Sequence, residues 1–184
     1  MPLPIVHHPD YDAQFPAHHR FPMGKYRLLM EALVRRGLAT DAHLRTPAAP
    51  ETSWLKLAHA PDYVDQVLSS TVPPAIEKEI GFPISERVSR RAQMAVAGTV
   101  FAARLALTHG IACNTAGGSH HARRAHGAGF CTFNDVAVAA RLLLKEGKVR
   151  RGPGGGVGRG PGGGAAGGFF AAARGFTCFL PGRL

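Results

Sequence analysis

Two adjacent histidines, His120 and His121, directly follow a Gly-Gly-Ser turn that begins at Gly117 and Gly118. Histidine is the side chain best matched to proton transfer near neutral pH, and glycines let the backbone approach a ligand closely. The apolar run at residues 111–114 predicts a short buried strand just before the turn. Since active sites of α/β sheets lie at the carboxyl ends of strands, the histidine pair is a candidate acid–base site.

The same histidines have an alternative interpretation as surface residues of a loop. Adjacent pairs also occur at residues 7–8 and 18–19, so a histidine pair alone does not identify a catalytic site. The following segment is more specific, because residues 129–135 read Gly-Phe-Cys-Thr-Phe-Asn-Asp and Phe130 offers an apolar wall. The two segments together favour a functional site over a surface loop more strongly than the histidine pair does alone.

The strands and helices that position these residues can be predicted from the spacing of apolar residues and from residue types that begin or end helices. Alternating patterns predict strands at residues 3–6 and 53–58, separated by a long loop at residues 7–23 and a helix. Helical spacing and capping residues predict helices over residues 25–36, 61–68, 85–110 and 134–147. Helices that alternate with short strands predict an α/β fold with a largely parallel sheet.

The composition fits a single domain with a tail. The chain has 184 residues, of which 45% are apolar and 18% charged, so a buried core is expected and wholesale disorder is excluded. We see neither a signal peptide nor a run of ~20 apolar residues that would cross a membrane. The three cysteines, Cys113, Cys131 and Cys178, lack a spacing typical of disulfides or metal sites. These features predict a soluble cytoplasmic protein.

The composition changes abruptly near Val149. Residues 149–184 contain five arginines, no acidic residue and 13 of the 23 glycines, so they carry half of the net charge of +10. Residues 152–168 lack a hydrophobic period and are predicted to be disordered. Residues 169–184 are predicted to dock weakly or not at all. The chain therefore divides into residues 1–151 and a Gly/Arg/Pro-rich tail, residues 152–184.

The strings Gly-Gly-Ser-His-His-Ala at 117–122 and Gly-Phe-Cys-Thr-Phe-Asn-Asp at 129–135 together resemble the signature of the zinc-dependent histone deacetylase family, especially its bacterial-type members. Supporting matches lie at residues 19–26, 61–64 and 81–83. The resemblance covers residues 1–151. It implies the arginase–deacetylase α/β fold, a parallel sheet flanked by helices, which is incomplete here.

The resemblance also implies a role for each matching residue. His121 is the general base that takes a proton from a zinc-bound water and later protonates the leaving amine, and His120 is its electrostatic partner. Gly129 and Phe130 line the channel for the acyl-lysine chain. Arg20 matches an arginine near the inner end of the site, where acetate leaves; a structural ion pair is the alternative for Arg20. The implied substrate is acetyl-lysine or a small acetylamine.

Four further polar positions have structural alternatives to a catalytic role. We expect Cys113 and Cys131 to be small buried residues rather than nucleophiles. The pair Asn134 and Asp135 is open between a helix cap and a catalytic role.

The family's cofactor is Zn²⁺, held by a strand of the form Asp-x-Asp-x-His and by a later carboxylate. In this sequence the last acidic residue is Glu146 and the last histidine is His126, so these ligands have no counterpart. The orienting aspartates of the histidine pair and the oxyanion-stabilising tyrosine are missing for the same reason. We therefore predict that this chain lacks the metal ligands and is an inactive, truncated copy. Its sheet is expected to have an exposed edge, and the protein is expected to be poorly soluble or partly folded.

A frameshift near Arg151 in a GC-rich gene is our hypothesis for the tail. Codons from Gly152 onward, read from their second base, admit a run of valine and leucine like that of the expected ligand strand. The aspartate and histidine of that strand are not reachable in the same frame, so the match is imperfect.

Two alternative functions remain. The basic tail, with Arg-Gly at residues 158–160, fits a nucleic-acid-binding module, although residues 152–168 contain no aromatic side chain for base stacking. A related hydrolase of the same fold that acts on acetylpolyamines or another small amide is the other alternative, and the sequence does not separate these substrates. No oligomeric state is predicted.

Overall fold

The computed structural model describes residues 2–149, 171–173 and 176–179. The strands in these ranges are β1 (Ile5–Val6), β2 (Leu44–Arg45), β3 (Ala112–Asn114), β4 (Ala171–Ala173) and β5 (Phe176–Phe179). The α-helices are α1 (Lys25–Arg35), α2 (Thr52–Leu55), α3 (Pro61–Leu68), α4 (Pro74–Ile80), α5 (Glu86–His109) and α6 (Asp135–Lys145). A single turn of 3-10 helix, Pro9–Tyr11, follows β1.

The described strands form one sheet in the order β2-β1-β3-β5-β4. Strand β1 pairs in parallel with β2 and with β3, where Ile5 lies opposite Cys113, which confirms the predicted parallel arrangement for this part of the chain. Strand β5 is antiparallel to β3 and to β4. Residues 171–173 and 176–179 therefore pair at the β3 edge, where we expected weak docking or none; the predicted disorder of residues 152–168 lies outside the described residues.

Helix α5 crosses the centre of the described fold and packs against α6 and the β3 strand. Apolar residues at helical spacing bury one side of it along most of its length. Its first turn is capped by Ser85, whose side-chain oxygen accepts a hydrogen bond from the Val88 N–H at 3.3 Å. It ends at Gly110, where φ of +81° suits a residue without a Cβ. Both ends of this helix were predicted correctly.

Replacing Ser85 with alanine removes this cap, and we expect the free energy of unfolding to fall by about 1 kcal/mol. Urea unfolding of the full chain measures the change. Ser53→Ala is the matched control, since Ser53 is exposed and its hydroxyl donates only to the Glu51 carboxylate; we expect a change within about 0.5 kcal/mol. Equal losses in Ser85→Ala and Ser85→Asp would contradict the capping role.

Two predictions of secondary structure were wrong or incomplete. Residues 53–58, predicted as a strand, contain helix α2 instead. The amide of Trp54 donates to the Glu51 carbonyl and that of His59 to the Leu55 carbonyl, so local turns satisfy the backbone and no sheet partner is needed. Helix α4 was not predicted; it begins at Pro74, a residue that fits the first position of a helix because the N–H it lacks has no helical partner there.

The described helices and loops enclose one large apolar core and two smaller ones. The largest contains buried aromatic rings from the loop before α1, from α3 and from the segment before α6: Tyr11, Phe21, Tyr63 and Phe133. Among the described residues, no helix combines the length and apolar character required to cross a membrane.

Candidate active site

A glycine turn places the histidine pair just beyond the carboxyl end of β3. Gly117 and Gly118 have φ of +96° and +75°, a region that residues with a Cβ rarely adopt, so the turn requires glycine. His120 and His121 follow, with ring centroids 4.2 Å apart and ring planes at 39°. Both side chains are exposed to solvent. The sequence prediction that the pair lies at a strand's carboxyl end is confirmed.

The N–H groups of this turn are hydrogen-bonded to a buried carboxylate. Asp135 is 0% exposed, and its Oδ1 accepts a hydrogen bond from the Ser119 N–H at 2.7 Å. Its Oδ2 accepts from the Gly118 N–H at 3.0 Å and from the Thr99 hydroxyl at 2.5 Å. The neighbouring Asn134 caps α6, since its Oδ1 accepts from the Ala137 N–H at 3.0 Å. The structure thus distinguishes two residues that the sequence left together. Asp135 supports the glycine turn, whereas Asn134 caps α6 and its Nδ2 also donates to the Ala122 carbonyl at 3.2 Å.

The hydrogen bonds continue from Asp135 into the core. The Tyr11 hydroxyl donates to Asn114 Oδ1 at 2.9 Å, and Asn114 Nδ2 donates to the Thr99 hydroxyl at 3.2 Å. Burial, together with the nearby Asp135 carboxylate, raises the pKa of Tyr11 far above its ordinary value, so the phenol stays a donor. The network joins the loop after β1, helix α5, strand β3 and helix α6 below the histidine turn.

The predicted channel residues, Gly129 and Phe130, are fixed by the end of helix α4. Their N–H groups donate to the carbonyls of Glu79 and Ile80 at 3.0 and 2.7 Å. These carbonyls belong to the last turn of α4, where no helical N–H is available to them. Both loop residues have positive φ, +55° and +66°, and Phe130 holds this conformation although it carries a side chain. A helix that the sequence did not predict therefore positions the two predicted channel residues.

Gly129 lies against the ring of His121. A Cβ on residue 129 would be 3.2 Å from Cγ of His121, which is tighter than an ordinary contact, and the φ of +55° also favours glycine there. The ring of Phe130 packs in an aromatic cluster with Phe21 and Phe82, at centroid distances of 5.1 and 6.1 Å. The structure thus brings together four of the five predicted site residues, His120, His121, Gly129 and Phe130.

Arg20, the fifth predicted residue, lies beside the ring of Phe130. It is exposed, and its guanidinium carbon is 5.0 Å from the centroid of Phe130. Within the described part of the chain it forms no ion pair with a carboxylate. Arg91 is the buried arginine of this region: it donates to the Tyr26 hydroxyl at 2.5 Å and lies over the rings of Tyr26 and Phe21.

His59 is a residue of this region that sequence reasoning missed. It is 1% exposed, packs against the rings of Tyr63 and Phe133, and its Nε2 accepts a hydrogen bond from the Asn134 N–H at 2.9 Å. Burial lowers its pKa to about 4, so the ring is neutral at pH 7. A single histidine between two short helices gives no signal in the sequence, because its burial depends on the distant segment before α6.

Both Cys113 and Cys131 are buried, as predicted. Burial raises the pKa of the Cys131 thiol, which keeps it protonated and a poor nucleophile at neutral pH.

The side chains at the site do not form a metal-binding group. Across residues 2–149 and the two described strands of the tail, no cluster of three or more His, Cys, Asp or Glu side chains could hold a metal ion. A catalytic zinc takes three protein ligands. No group of side chains within this part of the chain meets that requirement.

Comparison with known proteins identifies the family. A histone deacetylase domain matches residues 19–151. This chain belongs to the histone deacetylase family. Its histone deacetylase fold is also found in the crystal structure of a histone deacetylase homolog from Aquifex aeolicus, which matches with a TM-score of 0.63 at 23% identity, over 80% of this chain and 42% of that one. The predicted arginase–deacetylase fold is confirmed in this partial form.

Two curated relatives show how much of a histone deacetylase the chain represents. An uncharacterized protein of Picosynechococcus sp. is 45% identical over 151 residues, which is 82% of this chain and 50% of the relative. Histone deacetylase 2 of Arabidopsis thaliana is 26% identical over 156 residues, 80% of this chain and 40% of the relative. The chain thus spans about half the length of the relatives it matches. The nucleic-acid-binding alternative receives no support from them.

Proposed function

We propose that residues 1–151 carry the acid–base pair and the substrate channel of a zinc-dependent amidohydrolase that removes acetyl groups from acetyl-lysine or a similar acetylamine. The observation that carries the proposal is the contact between the paired imidazoles and the Gly129–Phe130 wall at the carboxyl end of β3. A flat aromatic wall beside a proton-transfer group suits a long methylene chain that ends in an amide.

Each residue has a distinct part in this proposal. His121 takes a proton from the attacking water as the new C–O bond forms, and returns a proton to the amine nitrogen as the C–N bond breaks. His120, 4.2 Å away between ring centroids, is its electrostatic partner. Gly129 and Phe130 line the channel, and Arg20 beside Phe130 attracts the acetate that leaves.

We further propose that this chain is itself inactive. Among the described residues no group of side chains fits zinc, so no step of hydrolysis is assigned to a metal held by them. Residues 152–184 follow the last acidic residue and the last histidine of the sequence, and a frameshift near Arg151 accounts for their composition. Resequencing of the locus tests this origin: an uninterrupted upstream frame, with no deacetylase-like sequence in the shifted frame, would contradict it.

A chimeric protein tests the proposed chemistry directly. Residues 1–149 are joined to the half of the Picosynechococcus relative that this chain does not match, and both the chimera and the original chain are assayed for bound zinc and for release of acetate from an acetyl-lysine peptide. We expect zinc and hydrolysis in the chimera and neither in the original chain. His121→Ala in the chimera is expected to lower kcat by ~10²- to 10⁴-fold, the usual contribution of a general base.

Ser53→Ala is the matched control in the chimera, because Ser53 is exposed in helix α2 and its hydroxyl donates to the Glu51 carboxylate; we expect kcat within about threefold of the parent chimera. A folded, zinc-loaded chimera that fails to hydrolyse the peptide, or one whose His121→Ala variant retains full activity, would overturn the proposed function.

A further inference from the structure

The peptide group between Gly118 and Ser119 is hydrogen-bonded on both sides. Its N–H, which is that of Ser119, donates to Asp135 Oδ1 at 2.7 Å. Its carbonyl oxygen, which is that of Gly118, accepts from the His120 N–H at 2.9 Å and lies 3.0 Å from Nδ1 of the His120 ring. One peptide group therefore connects the buried carboxylate to an exposed imidazole.

This geometry determines which nitrogen of His120 carries the proton. A carbonyl oxygen only accepts hydrogen bonds, so the contact at 3.0 Å requires a proton on Nδ1. In the neutral ring Nε2 then holds the lone pair and is the basic atom. The ring of His121 differs, because no hydrogen bond from the described residues fixes it; it packs against the His120 ring and Gly129.

Asp135 has features of a group that supports the turn specifically. It is 0% exposed and forms no ion pair within the described residues, so its carboxylate is balanced by the two turn N–H groups and the Thr99 hydroxyl. Unpaired buried charge is costly, and hydrogen bonds to these donors offset that cost. Capping of α6, the ordinary reason for an acidic side chain here, is carried out by Asn134.

We propose that Asp135 is a positioning residue that acts through the Gly118–Ser119 peptide group to hold His120 with its proton on Nδ1 and its basic Nε2 directed away from the turn. The catalytic use of that nitrogen rests on the proposed function, whereas the tautomer does not. Polarisation of the Ser119 N–H by the carboxylate strengthens the Gly118 carbonyl of the same peptide group as an acceptor, so the two hydrogen bonds reinforce each other.

Nitrogen-15 NMR of the histidine rings in the full chain, at a pH where His120 is neutral, tests the proposal; His120→Gln assigns the signal. We expect wild-type His120 to be protonated on Nδ1. In Asp135→Asn, one of the two turn N–H groups faces an amide donor, and we expect the ratio of the Nδ1–H to the Nε2–H form to fall roughly tenfold, the scale of one lost hydrogen bond.

Asp12→Asn is the matched control, since Asp12 Oδ1 accepts the backbone N–H of Gln14 at 2.8 Å in a different loop; it is expected to leave the His120 tautomer unchanged. Wild-type His120 protonated on Nε2 would overturn the proposal whether or not any variant folds. An unchanged ratio in a folded Asp135→Asn protein would also overturn it. Neither result depends on hydrolysis, so failure here is distinct from failure of the chimera assay.

Discussion

Replacing Gly98 with alanine is expected to lower the free energy of unfolding by about 3 kcal/mol, at the upper end of the cost of overpacking a core. A Cβ on residue 98 would lie 1.9 Å from the Tyr11 hydroxyl oxygen and 2.9 Å from both side-chain polar atoms of Asn114. Glycine inside a helix is normally unfavourable, so its presence in α5 is explained by this close approach. Urea unfolding followed by circular dichroism measures the loss.

A double variant separates the clash from other effects. Tyr11→Phe removes the hydroxyl and leaves Asn114 Oδ1 without that donor, a loss of about 1 kcal/mol. Combined with Gly98→Ala it should cost clearly less than the sum of the two single changes, because the strongest clash is gone. Gly24→Ala is the control, since nothing lies within 4 Å of a Cβ there, and its effect should be within about 0.5 kcal/mol. Strict additivity of the pair would contradict this explanation.

The fold should lose stability between pH 6.5 and pH 4 because of His59. Burial lowers the pKa of His59 from 6.5 to about 4 in the folded protein, so over this range the unfolded chain binds the proton more readily. The neutral ring of His59 makes its full contribution to the free energy of unfolding above pH 6.5, and this contribution is lost as the pH falls towards 4. A shift of this size corresponds to about 3 kcal/mol at a buried site. Burial lowers the pKa of His7 to about 4 as well, which adds a loss in the same direction.

Urea unfolding at pH 7 and at pH 4 measures the effect. Glutamine at position 59 offers an oxygen to the Asn134 N–H but does not titrate, so His59→Gln should reduce the difference between the two pH values by about 3 kcal/mol. The exposed His18, replaced in the same way, should retain the wild-type pH dependence. A His59→Gln protein with an unchanged pH dependence would show that His59 does not titrate as described.

Local signals in the sequence were sufficient to predict the glycine turn before the histidines and both ends of helix α5. The Gly-Gly turn requires positive φ, and Ser85 and Gly110 delimit α5, so each of these features could be predicted from residue types within one or two turns of chain. Residues 53–58 show the limit of the same reasoning. Their alternating pattern fits a strand, but a strand needs a partner, and the backbone of this segment is satisfied by its own turns.

The contacts that support the site are between segments far apart in sequence, and for that reason they could not be predicted. His59 becomes a neutral acceptor only because the Asn134 N–H reaches it across the core. In the sequence Asp135 looks like an ordinary acidic residue in the first turn of a helix. Its role is visible only in the fold, where the N–H groups of Gly118 and Ser119 donate to its carboxylate. The family resemblance selected the histidines and the predicted channel residues as candidates, whereas the groups that hydrogen-bond to their segments became visible only in the fold.

Helix α4 has only seven residues, yet its last two carbonyls accept hydrogen bonds from the backbone N–H groups of Gly129 and Phe130. These bonds to the loop use main-chain atoms only. Side chains on its exposed surface, such as Lys78, are therefore free to vary without disturbing the loop. Insertion or deletion of one residue within α4 would instead turn those carbonyls by about 100° around the helix axis and release the loop. Evolution of this region should accordingly conserve the length of the helix more strictly than its composition.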